Sequence, residues 1–131
     1  MLYYGFGVEI ECYPDTYHLC EVLRRDYEIK CEEEEYNHDT EYYWKIVPDS
    51  SLKSGGREVV SPPLKGDKGK EELKAVCEAL KYINATVDKY CGLHVHVRCN
   101  GPRPISLAQM MRVIIIYGHY ENVIDWLMPK S

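Results

Sequence analysis

"YYGFGVEIECY", residues 3–13, sets the reading of the whole chain. Val8 and Ile10 fall on one side of an extended backbone and Glu9 and Glu11 on the other. This is the two-residue period of a strand with one packed face and one polar face. Pro14-Asp15 breaks it. "CGLHVHVRC" (91–99) repeats the pattern. His94, His96 and Arg98 share one face, and Cys91, Val95, Val97 and Cys99 share the other. "GGREVVSPPL" (55–64) reads as a third strand, started by glycines and ended by Ser-Pro-Pro, with Glu58 alone among apolar neighbours.

Between and beyond these strands the period changes. Thr16 to Arg25 reads as a short helix with Leu19, Val22 and Leu23 as its apolar stripe and Asp15 as N-cap. Lys70 to Ala85 reads as a second helix, with Leu73, Val76, Leu80 and Ile83 at three- and four-residue steps. "NGPRP" (100–104) reads as a turn, after which Ser106 caps a third helix through Leu127, ended by Pro129. The centre of that helix, "MMRVIIIYG", is apolar most of the way round, so burial is expected. "YEIKCEEEEYNHDTEYYWKIVPD" (27–49) reads as a hairpin of two strands, with the Glu run 32–35 as its solvated tip. Interspersed helices and hairpin-linked strands predict an α+β fold, a mainly antiparallel sheet with helices packed on one face.

Composition narrows the class. A chain of 131 residues is expected to form a single domain, 1–131. Twelve tyrosines against one phenylalanine suit half-buried sheet positions, where the ring packs and the hydroxyl stays wet. A net charge of −5 with no basic stripe argues against a nucleic-acid partner. No apolar run reaches the ~18 residues of a membrane span, so no membrane partner is expected. The N-terminus shows neither the basic nor the apolar region of a secretory leader, which points to the cytoplasm. The six cysteines show no C-x-x-C pair and are expected reduced, mostly as small apolar packing residues; Cys20 and Cys77 fall on helical faces.

Three strands thus present titratable groups on one face. Taken singly, each group suits the wet side of an antiparallel sheet. Together they are less ordinary. Glutamate is a poor strand former, and E-x-E beside H-x-H brings carboxylates and imidazoles together. Carboxylates favour Mg²⁺ or Mn²⁺ bound to phosphates, with imidazole as a tolerable further ligand. Arg98 could then neutralise charge on a transferred phosphoryl group. Gly5, Gly7 and Gly92, beside the Glu and His pairs, fit a close approach to a ligand.

"FGVEIE" (6–11), "WKIVPDSSLKSGGREVVSPPL" (44–64) and "CGLHVHV" (91–97) occur in the order and approximate spacing of the amidoligase family. That family belongs to the carboxylate–amine ligases, with glutamine synthetase and glutamate–cysteine ligase. The resemblance runs from Phe6 to the final "LMPKS", and its specificity lies in the three motifs in order. It implies a partial glutamine-synthetase-like catalytic core and ATP-dependent amide-bond formation through an acyl phosphate. It further implies Mg²⁺ or Mn²⁺ and ATP as cofactors, and a small-molecule, peptide or protein carboxylate and amine as substrates. Carried over by position, Glu9, Glu11, Glu58 and His94 are expected metal ligands. His96 is expected to contact nucleotide phosphate or metal, and to act with Arg98 in catalysis and cofactor binding. Asp49 and Ser51 match a D-x-S turn near the cofactor and substrate mouth. Family members continue past the "LMPKS"-like segment with arginine, so the chain is expected to be the N-terminal part of the catalytic domain.

Two other readings use the same residues. A catalytically inactive homologue would keep the acidic face as a contact surface for a binding or regulatory role. A zinc module would take Cys91, His94, His96 and Cys99, whose types suit zinc. On a regular strand, however, the two cysteines would lie ~26 Å apart and on the face opposite the histidines. A helix-mediated homodimer through the apolar 107–117 segment is a further expectation.

Overall fold

The computed structural model of the protein describes residues 3–100 and 105–127. Most of the turn expected at 100–104, and the Pro129 helix end, lie outside the described residues.

The chain runs β1 (Tyr3–Cys12), α1 (Thr16–Tyr27), β2 (Cys31–Glu33), β3 (Trp44–Pro48), β4 (Arg57–Val60), β5 (Leu64–Lys65), α2 (Gly66–Tyr82), β6 (Leu93–Asn100) and α3 (Leu107–Leu127). The strands form one sheet, mostly antiparallel, in the order β2-β3-β4-β1-β5, with β6 also on β1. The fold is α+β. β1 is its axis. β6 pairs along one edge of β1 from Tyr3 to Ile10. β4 pairs with Glu9–Cys12 and β5 with Gly5–Phe6, so these two short strands share the other edge. The break between them has a chemical cause, since Pro62 and Pro63 have no N–H to give to the ladder. Ser61 bridges the gap: its N–H donates to the Val8 carbonyl (2.9 Å), and its hydroxyl oxygen accepts from the Val8 N–H (2.8 Å).

The core lies on one face of the sheet, where Cys12, Trp44, Ile46 and Val59 meet α1 and α2. α1 buries the expected stripe, Leu19, Val22 and Leu23, and Asp15 caps it by accepting from the His18 N–H at 3.0 Å. α2 begins four residues earlier than its periodicity predicts, at Gly66. Its Gly69 lies so close to β5 that a Cβ there would stand 2.9 Å from that of Leu64, so the glycine that weakens helix propensity also admits the helix to the sheet. α2 ends with Asn84 in the left-handed conformation and the Ala85 N–H donating to the Leu80 carbonyl, a Schellman closure. Ser106 caps α3 as expected, in a reciprocal box with Gln109.

Two expectations are overturned. Residues 27–49 do not form a hairpin: β2 and β3 are parallel, with Cys31 opposite Trp44. Parallel neighbours need a long return connection, and residues 34–43 supply it. Of the Glu run, Glu32 and Glu33 therefore lie in β2, not at a tip. Second, α3 is exposed rather than buried, with Ile114 at 65% and Trp126 at 91% exposure. Nearly every one of its faces is apolar, while α1 and α2 already cover the core. Leu93, Val95 and Val97, on the core side of β6, are likewise open. Among the cysteines, Cys77 is exposed on α2, while Cys20, Cys31 and Cys91 are half-buried. Cys12 is buried as a packing residue should be, and burial pushes its thiol up to about 12.

Truncating Leu19 to alanine should lower the unfolding free energy by about 2–5 kcal/mol, as for a closed core site. Ile114→Ala should change it by less than about 0.5 kcal/mol, as for a surface site. Urea unfolding followed by tryptophan fluorescence distinguishes the two.

Candidate functional site

The opposite face of the sheet carries the titratable groups. Register explains why they meet. Glu9 is paired with His94 on one side and Val60 on the other, and Glu11 with Glu58. Paired residues share a face, so Glu9, Glu11, Glu58 and His94 converge. His94 sits among the three carboxylates. Its Nδ1 is 3.0 Å from Glu9 Oε2 and 4.0 Å from Glu58 Oε1, and its Nε2 is 3.8 Å from Glu11 Oε1. His96 Nε2 lies 3.1 Å from the other oxygen of Glu9. Glu11 is buried, and one of its oxygens accepts the Gly92 N–H. A Cβ on Gly92 would stand 3.2 Å from that carboxylate and 3.3 Å from His94 Nε2. A side chain there would have to push Glu11 and His94 back by a few tenths of an ångström.

The protonation of these groups follows from their neighbours. Hydrogen bonding to Glu9 raises His94 above its ordinary value against the opposing effect of burial, and Glu11 and Glu58 add to the rise. Burial alone would raise Glu9, but the hydrogen bonds of His96 and His94 outweigh it and hold the carboxyl low. Glu58 is raised, first by burial and then by the charges of Glu9, Asp49 and Glu11. The site thus concentrates negative charge that His94, when protonated, offsets only in part.

Two sets of ligand atoms lie within 4.8 Å of one another: Glu9, Glu58 and His94 in one, and Glu11, Asp49 and Glu58 in the other. Glu58 belongs to both. Asp49 therefore stands with the carboxylates. Ser51 donates its backbone N–H to Asp49 Oδ1 at 2.7 Å, which fixes that carboxylate, while its own side chain is exposed and outside the cleft. No cysteine belongs to either set among the described residues.

A cleft of about 460 Å³ leads away from Glu9 and Glu58, past Gly7 and His96, to Arg98. Its far wall is the segment 37–41 from the β2–β3 connection, part of the stretch that sequence patterning read as a hairpin. Lys45 fastens that wall. The residue is only 3% exposed, and its ammonium donates to Asn37 Oδ1, to the Asn37 carbonyl and to the Asp39 carbonyl. A buried ammonium is tolerable only when its donors are satisfied. Glu34 extends the network by accepting from Tyr43 (2.6 Å) and Asn37 (2.9 Å). One signal was available in the sequence: a lone lysine inside the apolar run "YYWKIVP".

The His94–Glu9 pair makes a signed prediction for the metal-free protein. Its contribution to stability should be fullest between the unfolded-state values, about 4.5 for glutamate and about 6.5 for histidine. It is lost as pH falls through the lowered Glu9 value, and again as pH rises through the raised His94 value. An NMR titration of the His94 ring should give a midpoint above that of an unstructured peptide, and Glu9→Gln should move it down. An unchanged midpoint in that variant would break the assignment.

No curated protein and no solved structure matches the chain. The family described as "putative amidoligase enzyme" matches residues 3–131. The match takes in all three strands that build the acidic face and the cleft beside it, and the chain belongs to this amidoligase family.

Proposed function

We propose that the protein forms an amide bond between a carboxylate and an amine at the expense of ATP. The observation that carries this reading is the pair of carboxylate sets sharing Glu58 at the head of a cleft, in a chain of the amidoligase family. In such a reaction the substrate carboxylate takes the terminal phosphoryl group of ATP, releasing ADP. The amine then displaces phosphate from the acyl phosphate and loses a proton.

The donor set fits Mg²⁺ or Mn²⁺. It is mostly carboxylate oxygen with one imidazole; Glu58 is raised first by burial and then by its carboxylate neighbours, and a bound cation would offset both effects. Glu9, Glu58 and His94 would hold one ion and Glu11, Asp49 and Glu58 a second. Bound there, the ions would supply charge neutralisation for the phosphates. The chain's own contributions are separate. Gly92 lets Glu11 and His94 close on each other, and Ser51 orients Asp49. His96, joined to Glu9, faces the cleft where phosphate oxygens would lie. Arg98 stands further along the same face as a fixed positive charge.

Mn²⁺–ATP should raise the melting temperature. A ligand at a hundred times its dissociation constant adds about 2.7 kcal/mol of stability. Glu9→Ala and His94→Ala should abolish the gain. An intact protein whose melting curve ignores Mn²⁺–ATP would overturn the reading.

His94 must lose its proton to ligate, so Mn²⁺ affinity should rise with pH up to the raised His94 value and level off above it. Calorimetry in buffers of different ionisation enthalpy should show a proton released on binding below that value, and less in His94→Ala.

A further inference from the structure

At the end of the cleft away from the carboxylates, Gly5 of β1 is the cross-strand partner of two residues at once. Lys65 of β5 faces it on one edge and Arg98 of β6 on the other. Gly5, Gly7, Glu9 and Glu11 share the parity of the site face. Lys65 and Arg98 therefore stand on that face too, flanking a residue with no side chain. All three line the same cleft as Glu9, Glu58 and His96. Both cations are exposed, and no salt bridge among the described residues involves either. Lys65 also precedes α2 without using its side chain in a cap hydrogen bond. The motif reading stopped β4 at Ser-Pro-Pro and so passed over Lys65, which β5 returns to the site.

The face is therefore bipolar along β1. Carboxylates occupy the Glu9–Glu11 end, Gly7 and His96 the middle, and two cations the Gly5 end. Gly5 and Glu9 are four residues apart, ~13 Å along an extended strand. A ligand that engages a metal at one end and two cations at the other must be long, polyanionic and narrow enough to lie over glycines. A polyphosphate meets those requirements, and a single carboxylate is too short.

We infer that Lys65 and Arg98, straddling the buried Gly5, form a polyphosphate-binding subsite, with the half-buried Gly7 as the floor between them and the carboxylates. This deepens the ligase reading and rests on it for the identity of the polyphosphate as that of a nucleotide. Lys65 acts as a point charge and Arg98 as a fork that bonds two oxygens together.

The test uses inorganic tripolyphosphate with Mn²⁺, measured by calorimetry on the intact chain. Lys65→Ala and Arg98→Ala should each weaken binding roughly ten-fold or more, the size of one charge-assisted hydrogen bond. Lys65→Arg should restore most of the loss, and Mn²⁺ alone should bind all variants as it binds the wild type. Lys65 is exposed, so melting of the ligand-free variant should be unchanged. Wild-type tripolyphosphate affinity in Lys65→Ala, or no tripolyphosphate binding by the wild type, would overturn the subsite. The ligase reading fails separately: a Lys65-dependent affinity for tripolyphosphate with no gain from the adenosine of ATP, and no amide product, leaves the subsite standing and removes the ligase. Wild-type stabilisation by Mn²⁺–ATP that Lys65→Ala fully retains does the reverse.

Discussion

The antiparallel register of β1 with β6 is the constraint on which both core and site depend. Eight consecutive pairs, from Tyr3 opposite Asn100 to Ile10 opposite Leu93, fix which residues of the two strands face each other. Side chains in a strand alternate sides, so a slip of one residue would turn His94 and His96 toward the core face and set Leu93, Val95 and Val97 among the carboxylates. β1 serves both faces: Cys12 packs in the core with α1 and α2, and Glu9 meets His94 on the other side. On β1 the apolar side is buried at Val8 and Cys12; on β6 Leu93, Val95 and Val97 are open, so the pairing rests on the ladder itself and on the contacts of Glu9 with His94 and of Glu11 with Gly92.

That coupling explains what the sequence disclosed. Alternation in "GVEIE" and "LHVHVR" is a local property, and it set the parity of Glu9, Glu11, His94, His96 and Arg98 before any pairing was known. It also separated the histidines from the cysteines of the same stretch. The α1 stripe and the Asp15 and Ser106 caps were legible for the same reason, since each depends on residues three or four apart. The misreadings share the opposite cause. Whether residues 34–43 turn back tightly or carry the chain to a parallel neighbour depends on Lys45, Asn37 and Glu34 meeting across the loop. The exposure of α3 depends on what the rest of the chain leaves uncovered. Apolar content says that a helix wants a partner, without saying that its own domain provides one.

Electrostatically the site is an unfinished balance. Glu9 is held ionised by its histidines, while Glu58 is pushed toward its neutral form by burial and like charges. Adjacent carboxylates with opposite tendencies mark a place where protonation and cation occupancy compete. Partial neutralisation by His94 lets the sheet fold around the cluster without dispersing it.

The fastening of the cleft wall has a consequence for diversification. Lys45 anchors segment 37–41 through carbonyl oxygens of Asn37 and Asp39 and one side-chain amide. It reads backbone more than side chains. His38, Thr40 and Glu41, which line the cleft, supply none of its acceptors. Their identities can therefore change while the clamp, the sheet register and the acidic cluster stay as they are. The fold separates a chemical half, built into paired strands where one substitution disturbs many neighbours, from an adjustable half borne on a loop. Substitutions at His38, Thr40 and Glu41 would reshape the cleft while the paired strands keep the acidic cluster as it is.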